Sequence, residues 1–293
     1  MRVFVTGATG WVGSAVVEDL IAAGHQVTGL ARAEDKAAIL AATGAAVVRG
    51  TLDDLDLLRD AASAADAVIH TAFNHDFSRF AENAQQDQRT IELLGGVLEG
   101  SDRPLIVTSG VALLAPGRVA TEADLPPSDP SYQRQSEATA RALAQRGVRA
   151  ATVRLAPSVH GQGDHGFIPI LIGMARATGV SAYIGEGLNR WPGVHRLDAA
   201  RLYRLALESG LSEPAYHAIA DEGVAFRQIA SVIGRRLGLP VESRGPEHFG
   251  WFAGFAGADM PASSERTRSR LGWTPNGPDL LSDIDQPGYY AAS

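Results

Sequence analysis

The chain contains no cysteine, and of its 26 basic residues only Lys36 is a lysine. Without cysteine there is no disulfide, no thiolate metal site and no thiol nucleophile, and a reducing compartment is permitted. With one lysine, any mechanism that needs a second is excluded, and every other basic position offers a guanidinium that does not give up its proton. No run approaches the ~18 apolar residues that span a bilayer. The opening Met1-Arg2-Val3-Phe4-Val5 reads as a strand rather than the apolar core of a signal peptide, so the cytoplasm is the expected compartment and no membrane partner is expected. A basic stripe is also missing, and the net charge of −7 over 293 residues argues against nucleic-acid binding. Small-molecule substrates remain, with a homodimer as a candidate assembly.

The first half alternates short apolar strands with helical stretches, the pattern of a parallel sheet covered on both faces. Strands are expected at 2–6, 25–31, 45–49, 67–71, 104–108 and 149–155, with helices at 14–23, 34–42, 57–64, 86–98 and 137–145. Beyond Gly161 the periodicity weakens, and Gly- and Pro-marked loops alternate with one clear helix at 198–208. The expected class is α/β, a doubly wound parallel Rossmann sheet with a smaller interleaved carboxy-terminal region. Residues 1–160 would bind the dinucleotide, with 194–210 packing back on them. Residues 161–193 and 211–293 would cover substrate.

Thr6-Gly7-Ala8-Thr9-Gly10-Trp11-Val12-Gly13 sits where the first strand turns into the first helix. Gly7 suits a tight turn, Gly10 lets backbone approach a pyrophosphate, and Gly13 allows close packing, while the helix amino terminus offers N–H groups to the anion. The second strand ends in Ala31-Arg32, where an NAD enzyme often carries an acid against the ribose 2′-hydroxyl. Arg32 suits a 2′-phosphate, so NADP(H) is the expected cofactor, although Glu34 and Asp35 lie close by. Leu52-Asp53 is placed to cover the adenine, and His70-Thr71-Ala72 to line the crevice at the switch point.

These segments resemble, in order, the extended and atypical short-chain dehydrogenases, the superfamily of NAD-dependent epimerases and dehydratases. Arg154-Leu155-Ala156-Pro157-Ser158-Val159-His160-Gly161, Val194-His195-Arg196-Leu197-Asp198 and Leu271-Gly272-Trp273-Thr274-Pro275 extend the likeness over nearly the whole chain. The resemblance implies cofactor contacts at Thr108, Ala156, Ser158 and Val159, a serine at or just after Ser109, and Asp87 at an asparagine site. It also implies a Tyr-x-x-x-Lys pair that supplies the proton and holds the cofactor ribose, and here the pair is missing. Aligning Tyr132 with the tyrosine puts Ser136 where lysine belongs; aligning Glu137 with the helix glutamate puts Asp129 and Gln133 at the two places.

Reduction of a C=O or C=N bond still needs a proton. Tyr132 has Arg134 nearby in sequence, Ser109 could polarise substrate, and His75 beside Asp76 could relay protons; helix capping or packing would use the same residues. His160, Asp164 and His165 have metal-ligand types but no fixed geometry among glycines, and no metal is expected. Tyr183, Trp191 and the run Phe249 to Phe255 offer an aromatic wall over substrate or a packed core. The expected activity is an NADPH-dependent reductase of a small carbonyl or imine, using Ser109, Tyr132, His75 and Asp87. A non-catalytic NADP(H) sensor and a sugar-nucleotide epimerase or dehydratase are the alternatives.

Overall fold

The computed structural model describes residues 1–126 and 134–291. Its first half runs β1 (Arg2–Thr6), α1 (Trp11–Ala22), β2 (Gln26–Ala31), α2 (Glu34–Ala42), β3 (Ala46–Arg49), α3 (Leu55–Ser63), β4 (Ala67–His70), α4 (Phe80–Leu98), β5 (Leu105–Gly110), α5 (Ser136–Gln145) and β6 (Ala150–Leu155). The second half runs β7 (Ser158–His160), α6 (Phe167–Thr178), β8 (Ser181–Ile184), β9 (Arg190–His195), α7 (Arg196–Glu208), β10 (Ala215–Ala218) and β11 (Asp221–Ala225). It ends with α8 (Phe226–Leu237), β12 (Val241–Arg244), α9 (Ala253–Ala256), α10 (Glu265–Leu271) and α11 (Leu280–Ile284).

Seven strands form one wholly parallel sheet in the order β3-β2-β1-β4-β5-β6-β10. The order reverses at β1, which makes the carboxyl ends of β1 and β4 the switch point where such sheets bind ligands. Alternation along each strand sends neighbouring side chains to opposite faces. Val3 and Val5 pack under α1 and α7, whereas Phe4 packs under α3 and α4. Leu105 and Val107 of β5 take the second face, and Ile106 takes the first.

Two helices start earlier than their periodicity suggests. α1 begins at Trp11 rather than Ser14, because Gly10 is extended (φ −81°, ψ 176°) and the turn winds into the helix at once. α4 begins at Phe80 rather than Gln86, continuing from a 3₁₀ turn at Phe77–Arg79 whose cap is Asp76. The second half is more regular than its glycine content implies. Buried Phe226, Ile229, Ala230 and Ile233 recur at helical spacing in α8, which ends on Gly238 in the left-handed region. With Ile168, Leu171, Trp191, Phe249 and Phe252 they form a separate core. Trp191 is fully buried there, so it packs core rather than lining an open wall; Trp251 is the exposed ring of that run. β10 and Trp273, from the region expected over substrate, join the sheet and its core.

Candidate functional site

The glycine loop is shaped by contacts that leave no room for side chains. Gly7 has φ +68°, and a Cβ there would stand 2.6 Å from Ala72 N. At Gly13 a Cβ would overlap the Gly7 carbonyl and lie 2.6 Å from Thr71 Oγ1. The loop, α1 and the Thr71-Ala72 step are therefore pressed together. Gly10 differs: its Cβ would meet only Gly7 O, at 3.2 Å, and no side chain caps α1. A helix amino terminus without a side-chain cap, reached past an exposed glycine, is a cradle for an anion. The dinucleotide's pyrophosphate fits these residues.

On the adenosine side, Arg32 is exposed at the end of β2, and Glu34 pairs with Arg49. Asp53 accepts a hydrogen bond from Gln86 Nε2 at 2.8 Å, and Leu52 packs against the core beside it. Trp11 lies over the loop after β7. Its Nε1 donates to Val159 O at 2.7 Å, His165 meets its ring edge-on at 5.6 Å, and the Arg196 guanidinium stacks 4.4 Å above it. Ala156 and Ser158 are buried, Thr9 and Val12 partly so.

Beneath the crevice runs a buried polar chain that sequence reasoning did not anticipate. Thr6 Oγ1 lies 2.7 Å from His70 Nδ1, and His70 Nε2 lies 3.0 Å from Asp87 Oδ1. A carboxylate accepts, so the proton is assigned to Nε2 and Thr6 donates to Nδ1. Ser136 Oγ donates to Asp87 Oδ2 at 2.5 Å, and Arg134 Nε donates to Ser136 Oγ at 3.0 Å. The His70 side chain thus points into the α4 and α5 layer, leaving Thr71 and Ala72 at the crevice. The Thr108 hydroxyl is likewise engaged, donating to His70 O and lying 2.8 Å from the Tyr203 hydroxyl. Thr6, His70, Asp87 and Ser136 each stood out singly in the sequence, but only tertiary packing brings them together.

The proton-handling candidates are not equally placed. Ser109 is buried at the carboxyl end of β5, on the same face as His70 by strand alternation. Asp87 is buried, and its two carboxylate oxygens are engaged by His70 and Ser136. The Asp76 carboxylate accepts from Ser78 N at 3.0 Å and Ser78 Oγ at 2.6 Å, capping the 3₁₀ turn. His75 keeps exposed surface, yet neighbouring atoms crowd its ring. That crowding, and then the Arg134 charge, hold its pKa below the ordinary imidazole range. Tyr132 lies outside the described residues.

Asp164 is a further titratable group in the loop after β7. Burial pushes its carboxyl up to about 6, although Gly166 N donates to it at 2.7 Å. Among the described residues no three His, Cys, Asp or Glu side chains could hold a metal ion, and no helix is long and apolar enough to cross a membrane.

The parallel sheet, the glycine cradle at its switch point and the crevice beside it define a Rossmann-type nucleotide-binding protein. More narrowly, the chain belongs to the NAD dependent epimerase/dehydratase family, whose model matches residues 3–219. It is 48% identical over 295 residues to uncharacterized protein C2A9.02 of Schizosaccharomyces pombe, covering 99% of this chain and 100% of that one. A more distant relative is sterol-4-alpha-carboxylate 3-dehydrogenase, decarboxylating, of Dictyostelium discoideum, 26% identical over 246 residues, 78% of this chain and 74% of that one. The UDP-glucose 4-epimerase of Thermus thermophilus, solved in complex with NAD, shares the fold with a TM-score of 0.77 at 19% identity over 100% of both chains.

Proposed function

We propose that the protein is an NADPH-dependent reductase of a small carbonyl or imine. The observation that carries this reading is the end of β2, where exposed Arg32 stands beside a Glu34 already paired with Arg49. That pairing relieves the local negative charge that would repel a 2′-phosphate. Gly7, Gly10 and Gly13 would hold the pyrophosphate, and Leu52 and Asp53 would flank the adenine. The bound cofactor would supply hydride.

The chain's own residues would orient the substrate and deliver a proton. Ser109, at the carboxyl end of β5, would polarise a substrate oxygen. His75, its neutral form favoured by crowding and by Arg134, is suited to accept or relay a proton near neutral pH. The family and the epimerase fold neighbour favour a second reading, a nucleotide-sugar epimerase or dehydratase. Against it, Arg190, one cation available for a substrate diphosphate, is held by Asp259 through Nε at 3.0 Å and Nη2 at 2.8 Å.

The test is a titration with NADPH and NADH, followed by absorbance of the reduced cofactor with ketones, cyclic imines and nucleotide sugars. We expect tighter NADPH binding, a preference that falls about tenfold in Arg32→Ala, and oxidation of NADPH by a carbonyl or imine. Equal affinity for both cofactors refutes the cofactor assignment. Conversion of a nucleotide sugar without net cofactor change selects the second reading, and tight binding with no turnover on any panel selects a sensor.

A further inference from the structure

Resting on the dinucleotide reading above, we propose that Arg134 anchors the nicotinamide-side half of the cofactor. The geometry divides the crevice in two. Arg32, Leu52 and Asp53 follow β2 and β3, on one side of the glycine loop, and mark the adenosine half. A dinucleotide whose pyrophosphate lies over Gly10 must send its other half across β4 toward β5. Arg134 spans the tips of those two strands.

Three contacts fix its guanidinium there. Nη2 donates to Thr108 O at 3.1 Å, Nε donates to Ser136 Oγ at 3.0 Å, and the group stacks 4.2 Å from the centre of the Phe73 ring. Thr108 belongs to β5, Phe73 follows β4, and Ser136 opens α5, so three separate elements hold one half-buried cation at the crevice. All three contacts are to uncharged groups. Among the described residues the guanidinium forms no direct ion pair with a carboxylate, and it reaches Asp87 only through the Ser136 hydroxyl. A charge drawn partly out of water and met, among the described residues, by neutral acceptors gains from an oxygen-rich ligand. The ribose hydroxyls and the adjoining phosphate of the cofactor's second half have that chemistry. The guanidinium also sits one hydrogen bond from Ser136, the position that one of the two registers of the resemblance gives to lysine.

The anchor predicts an effect confined to half of the ligand. Equilibrium titrations would compare NADPH with 2′,5′-ADP, which lacks the nicotinamide half, and NADH with ADP, in the unmutated protein, Arg134→Gln and Arg134→Lys. Thermal melts would accompany each. In Arg134→Gln the dissociation constant of the bound dinucleotide should rise about ten- to hundredfold, while that of its adenosine fragment should stay within about twofold. Arg134→Lys should recover part of the loss. Equal weakening of dinucleotide and fragment would overturn the proposal, because Arg134 would then support the fold alone. Unchanged dinucleotide affinity would overturn it too. An unmutated protein that binds neither dinucleotide nor fragment would instead show that the dinucleotide reading itself fails.

Discussion

Replacing Gly13 by alanine should damage both the fold and the cofactor site, whereas the same change at Gly10 should damage only the site. At position 13 the new Cβ would lie 2.8 Å from the Gly7 carbonyl carbon and 2.6 Å from Thr71 Oγ1, against an optimum carbon–carbon separation of about 3.5 Å or more. Neither neighbour can step aside. The Gly7 carbonyl accepts from Gly10 N at 2.8 Å, and the Thr71 hydroxyl donates to Thr6 O at 2.7 Å. Overpacking of this kind costs about 1–3 kcal/mol, and alanine's better helix propensity returns roughly 0.5–1 kcal/mol. A net loss of about 1–2 kcal/mol lowers Tm by roughly 2–3 °C in a chain of this size. At position 10 the added carbon meets only Gly7 O at 3.2 Å, so Tm should fall by no more than about 1 °C while the methyl enters the anion's path. Gly96→Ala is the control, since α4 leaves open space there; it should raise stability by about 0.5–1 kcal/mol. Calorimetric melts with NADPH titrations of the three variants decide the matter. Normal binding by Gly10→Ala, or a normal Tm for Gly13→Ala, would refute the argument.

Two further outcomes are expected. Once a substrate is in hand, Ser109→Ala, His75→Ala and Tyr132→Phe should include at least one variant that loses about 10²- to 10⁴-fold in turnover with cofactor affinity preserved; near-normal rates in all three would reject these residues. Stability should also fall in acid through His217. Its Nδ1–H donates to Ser263 O at 2.7 Å and its Nε2 accepts from Arg154 Nη1 at 3.0 Å, and burial, then the Arg154 charge, push its pKa down to about 4. The unfolded ring titrates near ~6.5, so this contribution is complete above that pH and is lost, by up to about 3 kcal/mol, as pH falls toward ~4. Urea midpoints at two pH values should show a smaller acid loss in His217→Gln than in the unmutated protein; equal losses would contradict it.

The amino-terminal sheet was legible because each strand and helix carries its own signal. Arg2–Thr6 is apolar and followed by glycine, and α2 opens on Glu34-Asp35 and runs to Ala42 where expected. The second half hid its order because its small sheets join distant pieces: β7, β9 and β11 pair across short strands, none longer than six residues. Trp191 and Phe252 show why composition misleads there, since rings that cover a ligand and rings that fill a core look alike in sequence. The site divided along the same line. Gly7, Gly10 and Gly13 act through local backbone geometry and could be read directly, whereas the Thr6-His70-Asp87-Ser136 chain exists only once β1, β4, α4 and α5 are stacked.

The position of β10 limits how this architecture can diversify. Its four residues pair along β6, and α7, just before it, lies against α1. A block exchanged from Gly161 onward would therefore carry away the strand that closes one flank of the sheet and the helix that covers another. It would leave β6 with an unpaired apolar margin open to association with other chains. The stretches between these anchors, 161–189 and 226–260, can be exchanged one at a time without removing either element. The two halves of the molecule are thus interlaced, since β10 completes the sheet that β1 to β6 begin and α7 covers the helix that follows β1.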